Sequence, residues 1–443
     1  MPREQSYLDK RGPHEATPMM PEVKPKDKCR LVWMIVLLNG IGALLPWNMF
    51  ITIAPDYYVD YWFSPGGNRT DYATTFMSAL GMAAQFPNLF INVVNVLLVI
   101  GGSLLIRIAG PLVINCVSIS VTIALIALVP PAEESMSWFY ITTLVIVGVI
   151  NLSNGLYQNS IFGMFADFPP EYSNALVLGN NICGTFTTLV SMGATIVFRD
   201  DVRTKALVYF AISLTVLFLC GLSLFFLTKQ EFYHYWVDKG NAARSEAAET
   251  SSGFRQYLDC FSKCWVQLWN VFFIFFVTLT IFPAMMTATP LYRESTLTGE
   301  PGPWVSIWPE NLYVAITTFL CFNVFATVGS LMANFVQFPG PRFLWLPVLL
   351  RGLLIPFFMF CNYRPQDRTI PVFFKDEWWF FSGGVLMATT SGYFSSLAMM
   401  YAPRIVAPSQ AKIAGMTAAL CLMLGIFCGV SFTLFIAFIT TSL

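Results

Sequence analysis

"LVWMIVLLNGIGALLPWNMFITIA", residues 31–54, decides the fold class. The run exceeds the roughly 20 apolar residues that carry a helix across a bilayer. Yet it holds two asparagines, a proline and two tryptophans, and buried polar groups are expensive in lipid. Runs of the same kind recur at 74–103, 107–130, 137–166, 173–198, 205–228, 264–290, 311–338, 343–361, 378–402 and 411–440, giving about eleven spans. Of the 443 residues 56% are hydrophobic and 11% charged, against roughly a quarter charged in soluble domains. A closed barrel would require short alternating strands, and the runs are long and unbroken. The expected fold is therefore an all-α integral membrane protein lodged in a lipid bilayer.

Residues 1–30 are polar, Pro-rich and charged, and read as a disordered cytoplasmic tail rather than a cleavable signal. The longest connection, 229–263, separates six spans (31–228) from five (264–443) and reads as a cytoplasmic linker loop between two bundles. This 6+5 layout suggests two halves rocking about a central site, as in transporters built from repeats. Seven Lys and Arg in the tail and more in the linker place the N-terminus inside, and an odd number of spans places the C-terminus outside. Asn68, in the sequon "NRT" at 68–70, is then an external glycosylation site. The other sequon, at Asn151, falls within a span and is inaccessible.

Zero net charge leaves no footprint for nucleic acid. The ten cysteines show no metal-ligand spacing, so neither metal nor cofactor is expected. Nothing sets an oligomeric state.

Polar residues within spans must find partners in protein or water, so their positions map a lining. Gln85, Asn88, Asn92 and Asn95 share one helical face, as do Asn151, Asn154 and Gln158, and again Asn323, Ser330 and Asn334. Single amides often bond neighbouring helices. Three stripes point instead to a shared cavity, and carboxamides, which donate and accept, suit neutral polar solutes. Leu44, Trp47, Asn48 and Ile51 share a face of the first span, with Pro46 bending it beside the indole. No Asp or Glu lies deep in a span, and His14 and His234 lie outside them, so a proton relay lacks its titratable groups. The deep cation Arg351 is expected either to snorkel inward or to pair with Asp167 or Glu171, in a structural or gating role.

Several stretches carry a family likeness: "NGIGALLPWNMF" (39–50), "NGLYQNSIFGMFADFPPEYSNALVLGNNICG" (154–184), "FPAMMTATP" (282–290), "FNVFATVGS" (322–330), "LPVLLRGLLIPFFMFCNYRP" (346–365) and "SGYFSSLAMMYAPRIV" (391–406). Over nearly the whole chain after the tail, the sequence resembles the equilibrative nucleoside transporter family. The resemblance implies a major-facilitator-related bundle of eleven helices that passes nucleosides, and in some members nucleobases, down their gradients by alternating access. It further implies that Leu44 and Trp47 cover the base and Gln158 bonds it. Phe282, Phe319 and Asn323 would line the opposite half, while Gly179 and Gly184 permit close packing. Where the family pattern carries an Asp and an Arg that help to hold ribose and base, this chain has Ala326 and Ser330. Gln85 and Asn88 are candidates to compensate.

The expectation is facilitative nucleoside transport, not ion-coupled and not enzymatic, at a plasma membrane. Two alternatives stand beside it: the same fold carrying nucleobases or organic cations, and a receptor or scaffold that transports nothing.

Overall fold

The computed structural model describes residues 25–68, 70–97, 104–198, 201–248, 253–293, 302–365 and 368–442. The expected tail lies, up to residue 24, outside the described residues. Among those described, every regular element is a helix. In chain order the main ones are α1 (Leu31–Ile53), α2 (Asp71–Leu97), α3 (Leu104–Leu128), α4 (Met136–Phe165), α5 (Pro170–Val197) and α6 (Val202–Leu227). They are followed by α7 (Glu231–Ala248), α8 (Gly253–Ile281), α9 (Cys321–Phe335), α10 (Trp345–Phe360), α11 (Glu377–Arg404) and α12 (Ala411–Ser442).

Nine described helices are long and apolar enough to cross a membrane. The other two expected crossings are α10, which tightens into a 3₁₀ turn at Arg351–Leu353, and α11, whose Gly, Ser and Thr residues dilute its hydropathy. The arrangement is consistent with eleven crossings. Within the stretch read as a linker loop, α7 is helical, and α8 begins at Gly253, before the apolar run that announces it.

The face carrying residues 25–30, 166–169 and α7 is called the linker face. On it, Asp27 accepts the backbone N–H groups of Val32 (3.0 Å) and Trp33 (3.1 Å), satisfying two donors that the first turn of α1 leaves free. The Tyr172 hydroxyl donates to the same carboxylate and ties this entry to α5. At the other end α1 runs beyond Ile53 into a wider π-helical winding, Ala54–Trp62, where Pro55 has no N–H to continue the α ladder.

The rim that follows is packed with rings. Trp62 lies flat on Phe139 (3.7 Å, 7°), while Tyr58 stacks with Phe76 and Phe63 contacts both Phe76 and Tyr140. Halfway down, α1 and α5 cross with Gly40 facing Gly179; a methyl on Gly40 would lie 2.7 Å from the Leu176 carbonyl oxygen. Small residues let backbones approach in lipid, where dispersion rather than water exclusion drives helix association. Gly179 lies against the backbone of Leu37 and Gly40.

Candidate functional site

Taking the helices before and after α7 as a first and a second half, α5 packs against α9 and α11, and α4 and α2 pack against α12. Gly184 lies midway along the 28 residues of α5, and the space beside its Cα holds the carboxamide of Asn323, which any side chain at 184 would overlap. Asn323 donates to the Phe319 carbonyl (2.9 Å) and reaches the Thr188 hydroxyl at 3.4 Å. Behind it Phe282 stacks on Phe322 (3.9 Å, 14°) and meets Phe319 edge-on (5.7 Å). The structure thus brings together Phe282, Phe319, Asn323 and Gly184, drawn from both halves.

On α1, Leu44, Trp47 and Ile51 are half-buried against the core of the first half. Asn48 donates to the Cys183 thiol at 3.5 Å, beside Gly184, so α1 adjoins the same crossing. Gln158 is buried, at 2% exposure, and neither end of its carboxamide has a hydrogen-bond partner among the described residues. An unmet amide in a dry interior costs about 1–3 kcal/mol.

The three amide stripes are used differently from the expected shared lining. Asn92 donates to the carbonyl and side chain of Asn88, both at 2.9 Å; Asn95 crosses to Asn159 (2.6 Å); and Asn115 of α3 donates to Asn154 (2.7 Å). Asn151 turns back onto Val147 of its own helix. Two of these bonds, Asn95–Asn159 and Asn115–Asn154, hold α2, α3 and α4 together, whereas Asn92 and Asn151 bond within their own helices. Gln85 stays half-buried on α2.

The third stripe seals the halves. Asn174 of α5 donates to the Ser330 carbonyl (2.9 Å) and to Asn334 (2.7 Å), and Asn181 donates to the Ser330 hydroxyl (2.6 Å). That hydroxyl donates in turn to the Gly392 carbonyl (3.1 Å), while Ala326 is buried against α11. The sequence reading missed Asn174 and Asn181, although they share a face of α5 with Gly184 and Thr188. A second seal lies between α4 and α12, where Asn159 donates to the Met416 carbonyl (2.9 Å) and Gly415 fits against Ala166 and Phe162. Both seals lie toward the linker face.

Arg351 does not pair with Asp167 or Glu171. Its guanidinium is held within the second half by Thr390 (3.1 Å), the Ile274 carbonyl (3.1 Å), Thr278 (2.9 Å) and the Met387 carbonyl (3.3 Å). Four oriented dipoles take the place of a counter-ion, and the planar fork of arginine suits them. Asp167, on the α4–α5 loop, instead accepts at both carboxylate oxygens from Nη1 of Arg244 of α7 (3.0 and 2.9 Å), while Nη2 of the same guanidinium donates to Asn241 (2.8 Å). Burial raises its carboxyl above the ordinary carboxylate range, and Arg244 is the chief influence opposing it. Glu171 is exposed in the first turn of α5.

Solved structures with this architecture define the class. The major facilitator superfamily proton:xylose symporter XylE, bound to 6-bromo-6-deoxy-D-glucose, superposes with a TM-score of 0.61 at 11% identity, covering 93% of this chain and 90% of that one. A partially occluded inward open form of XylE from E. coli gives 0.52 at 13% identity, with 93% and 92% covered. The fold is that of a major facilitator transporter, multi-pass in a membrane.

Residues 143–438 match the nucleoside transporter family, and the chain belongs to it, a family of transporters and not of enzymes. Among its relatives, equilibrative nucleoside transporter 3 of Rattus norvegicus is 28% identical over 440 residues, 92% of this chain and 88% of that protein. Equilibrative nucleoside transporter 2 of Homo sapiens is 28% identical over 92% of this chain and 97% of its own length. Equilibrative nucleoside transporter 1 of Homo sapiens is 26% identical, with 93% and 97% covered.

Proposed function

We propose that this chain passes nucleosides down their concentration gradient by alternating access, without coupling to an ion. The observation that carries the reading is the middle of the α5–α9 crossing, where the rings of Phe282, Phe319 and Phe322 and the Asn323 carboxamide of the second half meet Gly184 and Thr188 of the first, with no ionisable side chain among them. A flat base stacks on rings such as Trp47 and Phe282, and the spare carboxamide of Gln158 offers one donor and one acceptor to a base edge. Leu44, Asn48 and Ile51 continue the wall on α1, and on α2 Gln85 is half-buried and is a candidate contact, while Asn88 is already engaged by Asn92. The names of the relatives, all equilibrative nucleoside transporters, agree. Bundles spanning 31–228 and 264–443 would rock about this centre, parting at the seals of the linker face to release cargo there.

In this reading the linker face lies inside the cell and the opposite face outside, at a plasma membrane, as the Lys and Arg of the tail and linker suggest. The exposed position of Asn68 on the loop before α2 supports a glycan there. A second reading, in which the base alone suffices as cargo, is favoured by Ser330, whose hydroxyl is already engaged by Asn181 and Gly392.

The test is uptake of labelled uridine, adenosine and adenine into proteoliposomes, with and without a proton gradient. Equilibration to the external concentration, indifferent to that gradient, is expected. Accumulation driven by protons, or no flux of any of the three, would overturn the proposal.

A further inference from the structure

The linker helix α7 has a grip on each half. Toward the first half, Arg244 clasps Asp167, and Gly240 leaves the space that the Asp167 carboxylate occupies. Phe232 and Trp236 of the same helix join a ring cluster with Phe168 on the α4–α5 connection and Tyr172 in the first turn of α5. Toward the second half, α7 packs against the turn Pro408–Gln410 that leads into α12. That turn is itself anchored, because Gln410 donates to Asp259 of α8 at 2.8 Å. Directly behind it lies the α4–α12 seal, where Gly415 meets Ala166 and Lys412 lies close to Gly163.

We propose that α7 is a strap across the linker-face seam, buckled by Asp167 and Arg244, which holds the carrier shut on that side and whose release is part of each transport cycle. Parting the α4–α12 seal moves the α4–α5 loop away from the 408–410 turn, and α7 cannot stay seated on both. The rings on Phe168 are non-directional and tolerate sliding, whereas the charge-assisted bond from Nη1 of Arg244 to Asp167 has a defined length and direction, its guanidinium held in place by the Nη2 bond to Asn241, so the ion pair sets the closed position. An ion pair at a moving seam shifts the balance of two states only by its difference between them. Here it exists fully in one.

The strap rests on the alternating-access reading, and its test separates the two. Full-length protein is reconstituted, and initial nucleoside flux is measured from each side for the wild type, Arg244→Gln, Asp167→Asn and the exchanged pair Asp167→Arg with Arg244→Asp. Releasing the buckle populates the state open at the linker face. Each single variant should raise the half-saturating concentration on the opposite side and lower it on the linker side, by roughly five-fold. The exchanged pair should return both toward the wild type. A fall in maximal flux equal from both sides, with half-saturation unmoved, overturns the strap, because a purely structural defect behaves so.

A second measurement needs no substrate. Spin labels at Glu171→Cys and Phe338→Cys, exposed positions on the linker-face ends of the two halves, are placed in a Cys29→Ser background. Arg244→Gln should add a longer-distance population to the pulsed spectrum. If the distance responds while the wild type moves no nucleoside, the strap stands and the proposed cargo falls. If nucleoside moves and neither half-saturation nor distance responds, the strap falls.

Discussion

Asn181 and Gln158 carry the same functional group in the same half of the molecule, and the structure treats them oppositely. Asn181 donates across the seam to Ser330 at 2.6 Å, and its neighbour Asn174 has two partners on α9. Gln158 is as well buried as any core residue and bonds to nothing described. A satisfied amide in a bundle is adhesive; an unsatisfied one is a standing cost that folding would remove unless something else used it. Arg351, with four partners and no carboxylate, belongs with the satisfied groups and shows that even a full charge can be structural.

This contrast predicts graded effects. Arg351→Lys should be the most damaging, since an ammonium cannot reach four acceptors spread over α8 and α11. The loss is about 3 kcal/mol, read as a lower melting temperature of the detergent-solubilised protein, and a melting temperature equal to the wild type would remove Arg351 from the satisfied class. Gly184→Val comes next. Overlap with Asn323 should cost about 1–3 kcal/mol and suppress flux, and a paired Asn323→Ala should recover part of both. Asn181→Ala follows, at about 0.6–1.7 kcal/mol for one interhelical bond in lipid, with flux changed less than stability. Gln158→Leu should be the mildest for stability and of opposite sign, leaving melting unchanged or raised, while half-saturation for nucleoside rises roughly ten-fold through one lost hydrogen bond. If Gln158→Leu instead destabilises the protein and spares transport, the two amides are alike and the contrast fails.

Much of the architecture was legible because lipid demands it. The runs that announce α1–α6, α8, α9 and α12 must be long and apolar, and they are, whereas α10 is shorter and α11 more polar. Gly179 and Gly184 were singled out only through the family resemblance, because a glycine in a span does not by itself say what lies opposite. What a helix faces was not legible. Asn154 and Asn334 stand in stripes of identical period, yet one bonds α3 and the other crosses to α5, because periodicity gives the face of a helix and not its neighbour. The partners of Arg351 were hidden for a related reason: threonines and backbone carbonyls leave no charge to search for, whereas Asp167 and Glu171 did. The helix α7 escaped notice because its charged, alanine-rich second half reads as linker. Its Phe232 and Trp236, four apart on one face, were the available signal.

The ring-packed rim beyond α1 bears on how such a machine turns. Trp62 pressed flat on Phe139, with Tyr58, Phe63, Phe76 and Tyr140 about it, joins α1, α2 and α4 into one stiff plate at the end farthest from the strap. A plate of that kind transmits torque without bending. Under the rocking scheme, the first half would then swing as a lever, and its fulcrum would fall at the glycine notch near mid-depth where Asn323 is seated.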